Sequence, residues 1–159
     1  MTVLLTGALV FITIYVVKCV TFKQECSGHL RRAADANTVE TAQKELIVAT
    51  KYLEDNNITS GYTSVFWQTP DEDIAFWYNN LKASENELSK VDSTTSSLEK
   101  TNILMKLRET LMDHGKEGDH VTYPKGLATY PQNGLYGTLI LLSILIILLA
   151  FAALINYFD

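Results

Sequence analysis

Three histidines, two cysteines and one acidic run are the side chains best suited to chemistry here, and their spacing argues against each use in turn. His120 closes Glu117-Gly118-Asp119-His120, the Glu-x-x-His spacing that carboxylate-bridged metal sites carry on a helix. Such a site needs a helix to bring both ligands to one side and a second copy of the motif facing it. Gly115 and Gly118 make this stretch a poor helix, and no second copy exists. Cys26 and His29 are close in sequence but lack the elbow or orienting group that makes a thiol a nucleophile. Asp71, Glu72 and Asp73 follow a helix-start signal, where acidic side chains answer the helix dipole without any ion. The sequence therefore predicts no catalytic residue, no metal ligand and no cofactor. It also has no Gly-rich phosphate loop and no stripe of basic and aromatic residues. A net charge of -5 and a pI near 5.2 exclude nucleic acid as the main partner, because phosphate backbones need a clustered basic surface.

Aromatic residues provide the more distinctive pattern. Tyr62, Phe66 and Trp67 precede Thr69-Pro70, and Phe76, Trp77 and Tyr78 follow it. Three consecutive aromatics cannot all face one side of a helix, so an outward ring beside Asp71 and Glu72 is expected to meet a partner. Phe66, Trp67, Phe76, Trp77 and Tyr78 are the candidate partner-contact residues, although Trp77 also falls on a core seam and Phe66 could staple the loop to the helix.

Three helices must position these groups, over about residues 30–55, 70–92 and 96–113. The first carries Val39, Ala42, Leu46, Ala49 and Leu53 in steps of three and four, a narrow alanine-containing stripe of the coiled-coil kind. Thr69 is the expected cap of the second helix, with Pro70 in its first turn and Glu72 completing a capping box. That helix places Ile74, Trp77, Leu81, Leu88 and Val91 on one seam. Ser96 and Glu99 are spaced as a second capping box ahead of Leu98, Leu104, Leu107 and Leu111. Glycines and prolines from Gly115 to Pro131 predict an irregular approach to the C-terminal segment.

The ends differ sharply from this middle. No charge occurs from Met1 to Val17 or from Gly126 to Phe158. The expected division is a transmembrane anchor at 1–22, an acidic helical domain at 23–133 and a second transmembrane helix at 134–159. Tyr136 and Tyr157 stand 21 residues apart, about 31 Å along a helix, and with Lys18 and Lys23 are the expected membrane-interface residues. Lys18, Lys23, Arg31, Arg32, Lys116 and Lys125 all lie between the two ends, which places the central domain in the cytoplasm.

The expected fold class is thus all-α, two transmembrane helices flanking a small helical hairpin or bundle. The expected function is a non-enzymatic integral membrane scaffold or accessory subunit. It would sit in the lipid bilayer and act through helix–helix contacts with copies of itself, as a homo-oligomer, or with a larger membrane complex. The layout resembles membrane-flanked helical sensor domains, which implies as the alternative a ligand-sensing bundle that signals through a separate partner.

Overall fold

The computed structural model describes residues 2–115 and 118–158, with only part of the side chains in the terminal helices. Helix α1 (Thr2–Phe22) runs without a loop through a π-helical turn (Lys23–Ser27) into α2 (Gly28–Ala34). Phe22, Ser27 and Gly28 all keep right-handed helical angles, so the backbone path is continuous. The helix expected from about residue 30 to 55 is two helices. Asp35, Asn37 and Thr38 compete with helical hydrogen bonding through their short polar side chains and interrupt it. Thr38 then caps α3 (Val39–Asp55), its hydroxyl accepting from Thr41 N–H at 3.2 Å.

Helix α3 ends in a Schellman arrangement. Ile58 N–H reaches Leu53 O at 2.7 Å and Asn57 N–H reaches Glu54 O at 3.0 Å. This closure requires a left-handed residue, and Asn57 takes it at φ 57°. Beyond the loop, Pro70–Glu72 forms a single 3-10 turn before α4 (Ile74–Ser89). Thr69 does not cap α4: its hydroxyl donates to the Glu72 carboxylate at 2.9 Å, within the 3-10 turn. Asp73 caps it, one carboxylate oxygen accepting from Ala75 N–H at 2.9 Å and Phe76 N–H at 3.2 Å. A charged acceptor serving two orphan donors displaces the start by four residues from Pro70. Ser96 caps α5 (Ser97–Leu111) by accepting from Glu99 N–H at 3.1 Å.

The all-α expectation fails after α5. Strands β1 (Met112–Gly115) and β2 (Gly118–Val121) pair antiparallel, Met112 opposite Val121 and Asp113 opposite His120. Thr122 N–H extends the pairing to Leu111 O at 2.9 Å. Gly118, at φ 103°, supplies the positive dihedral that the tight connection needs. A second 3-10 turn (Leu127–Thr129) leads to α6 (Asn133–Phe158).

The core forms where α2 packs on α3 and α5, and α3 on α4. Val39, Ala42, Leu46, Ala49 and Leu53 of α3 are all buried, and Ile74, Trp77, Leu81 and Leu88 of α4 are buried with them. Cys26, Leu30 and Ala33 bring the π-turn and α2 into the same cluster. A polar network joins α3 to α4 at its edge. Thr50 donates to Glu85 at 3.0 Å, Lys82 reaches Glu85 at 2.8 Å and Glu54 at 3.4 Å, and the Tyr78 hydroxyl donates to Glu54 at 2.6 Å.

Among the described residues no helix is long and apolar enough to cross a membrane. The reading of two transmembrane helices, the integral membrane localisation and the cytoplasmic placement of the central domain are corrected accordingly. Tyr157, expected at an interface, lies outside the described side chains.

Candidate functional site

The aromatic residues separate into two groups. Phe66 and Trp67 are 82% and 81% exposed, with ring centroids 6.1 Å apart, and Phe76 is 65% exposed. Trp77 is buried, its indole N–H donating to Thr122 O at 2.9 Å, and so ties α4 to the chain leaving β2. Tyr78 is half-buried and held by Glu54. Burial and that carboxylate push its phenol up to about 12. Outward-facing apolar rings are therefore at Phe66, Trp67 and Phe76, while Trp77 and Tyr78 hold the bundle together.

The loop bearing Phe66 and Trp67 is anchored on the approach to α6. Asn133 Nδ2 donates to Thr63 O at 2.6 Å, and the Tyr130 hydroxyl donates to Ser60 O at 3.0 Å. The same approach holds α1. Lys18 Nζ donates to Gln132 Oε1 at 2.6 Å and sits 5.8 Å above the Tyr136 ring. Tyr136, itself buried, stacks against Phe11 and Tyr15 with centroids 5.3 and 5.7 Å away. Lys18 and Tyr136, expected at a membrane interface, thus meet each other and fasten the two terminal helices.

From that fastening the helices present apolar side chains to solvent. Val10, Ile12, Ile14, Val16, Val17 and Val20 on α1 and Leu135, Ile140, Leu141, Leu142, Ile144, Leu145 and Leu148 on α6 are each 44–66% exposed. At about half exposure these side chains offer on the order of 1,000 Å², above the ~800 Å² per partner of a stable protein interface. No family model, curated protein or solved structure matches this chain.

A polar centre lies where α2 packs on α3. The Glu45 carboxylate is buried, with Oε2 2.6 Å from His29 Nδ1 and Oε1 2.7 Å from Arg32 Nη2. One carboxylate thereby clamps two residues of α2 to α3. Both its oxygens are taken up in joining α2 to α3. Cys26, in the π-helical turn that leads into α2, is fully buried, and burial pushes its thiol up to about 12, away from nucleophilic reactivity. Glu45 is not among the stripe residues of α3, and a contact across 16 residues between two helices leaves no local pattern in the sequence.

Lys23, the remaining expected interface residue, lines a cavity of about 480 Å³ between the α2 path and the hairpin, together with Arg31, His120 and Lys125. His120 lies in β2 with Nε2 3.8 Å from Asp113 Oδ2, and Glu117 lies outside the described residues. Among the described residues no group of three or more His, Cys, Asp or Glu side chains could hold a metal ion.

Proposed function

We propose that this chain is a non-enzymatic scaffold or accessory subunit that self-associates through the apolar faces of α1 and α6. The observation that carries the reading is the exposed apolar surface on those two helices, fastened together at Tyr136. Contiguous apolar patches above a few hundred Å² mark association surfaces. Apart from Lys18, which is turned to Gln132 and Tyr136, the described side chains of both helices are uncharged, so each face is complementary to its own copy. Gly7 adds a place for close approach, since a Cβ there would meet nothing within 4 Å. Phe66, Trp67 and Phe76 extend the apolar surface away from the terminal helices.

Sedimentation velocity of the full chain, with Leu141→Asp and Ile144→Asp for comparison, tests the reading. The wild type should sediment as a defined oligomer. Each aspartate should shift it toward monomer by burying an unpaired charge, with helical circular dichroism unchanged. A wild-type monomer overturns self-association, whether it sediments alone or carries bound detergent or lipid.

A further inference from the structure

We propose that the cavity between α2 and the β-hairpin binds a phosphate monoester. Lys23, Ser27 and Arg31 stand four residues apart along one side of the continuous helical path, and His120 and Lys125 face them from β2 and the segment after it. Three permanently cationic side chains from separate elements converge on one cavity in a chain of net charge -5. Asp113, beside His120, is the carboxylate among the lining residues. Among the described lining residues the surplus is two positive charges, which matches a phosphate dianion.

The cations are also available. Among the described residues Arg31 pairs with Asp35 through Nε at 3.8 Å, which leaves its terminal nitrogens to fork onto two oxygens of one anion. Among the described residues neither Lys23 nor Lys125 forms an ion pair, although Asp71 lies in the field of Lys125. Ser27 adds a hydroxyl, and Val121 and Tyr123 form a wall for the organic part of an ester. A cavity of about 480 Å³ exceeds what phosphate alone would fill and falls within the usual size of small-ligand sites. The ester could belong to a soluble molecule or to a lipid headgroup, and the chemistry recognised is the same.

Titration calorimetry of the full chain with inorganic phosphate and with glycerol 3-phosphate tests the site. A parallel arm uses flotation with phosphatidylcholine vesicles, with and without phosphatidic acid. Glycerol 3-phosphate should bind saturably and more tightly than inorganic phosphate. Arg31→Gln and Lys125→Gln should each weaken binding about tenfold, the loss of one charge-assisted contact. Asp113→Asn should tighten it by removing a repulsion, an effect that a role in folding alone would not produce. Lys51→Gln, on the exposed face of α3, should change nothing. Arg31-dependent binding confined to phosphatidic-acid vesicles supports the site and assigns the ester to a headgroup; saturation by glycerol 3-phosphate assigns it to a soluble molecule. Absence of saturable binding in every arm overturns the proposal, as does equal weakening by Arg31→Gln and Lys51→Gln.

Discussion

Leu46 is fully buried at the middle of the α3 seam, and Leu46→Ala measures how much that seam contributes. Truncation removes most of a buried leucine's transfer free energy, about 2 kcal/mol. It also leaves a void: at about 24 cal/mol per Å³, an unrelaxed space of roughly 70 Å³ adds about 1.7 kcal/mol. The expected loss is therefore about 3.7 kcal/mol. For a domain of this size each kcal/mol lowers the melting temperature by about 2 to 4 °C, so a drop of roughly 7 to 15 °C is expected. Lys51→Ala, on the same helix but exposed, should stay within about 0.5 kcal/mol of the parent. Calorimetric melting of both variants, with urea midpoints as a second probe, decides the matter. Equal melting temperatures for Leu46→Ala and Lys51→Ala would refute the packing argument, because no collapse of the site could erase the transfer loss as well as the void.

Two further outcomes concern titratable groups. With its thiol raised to about 12 by burial, Cys26 should resist a thiol-disulfide reagent at pH 8 while half-exposed Cys19 reacts. One equivalent released from the native chain and two from the unfolded chain is the expected count, and two from the native chain would show that Cys26 is accessible. Tyr78 has a folded pKa of about 12 against an ordinary 10.0, so the folded state holds its proton longer than the unfolded state does. Its contribution is complete below pH 10 and is lost as pH rises toward 12; Lys82, also raised chiefly by its bond to Glu85, loses its contribution in the same direction. The stability gap between the wild type and Tyr78→Phe should therefore narrow between pH 9 and 12 in urea titrations, and a constant gap would rule out this coupling.

The parts of the fold that repeat with a helical period were visible in the sequence. The seam of Val39, Ala42, Leu46, Ala49 and Leu53 is buried residue for residue, because a step of three and four admits one packed face. Termini were harder, since several polar residues compete to cap. Thr69 and Asp73 both sit at the mouth of α4, and the carboxylate that can accept two N–H groups prevails over the hydroxyl. The hairpin was not legible. Its two four-residue strands offer Met112 and Val121 as their facing apolar pair, too little to establish a period of two. Contacts far apart in sequence, such as Glu45 with His29 and Trp77 with Thr122, depend on how helices cross and carry no local signature. At the ends the difficulty is of another kind: uniform apolarity has no periodicity, so it states that α1 and α6 need covering without stating by what.

The unbroken passage from α1 through the π-turn into α2 makes residues 2–34 a single rod. The Glu45 clamp on His29 and Arg32, with Cys26, Leu30 and Ala33 in the core, seats its inner end. Lys23, Ser27 and Arg31 therefore keep one rotational register with the apolar arm, while His120 and Lys125 reach the same cavity from β2 and the segment after it.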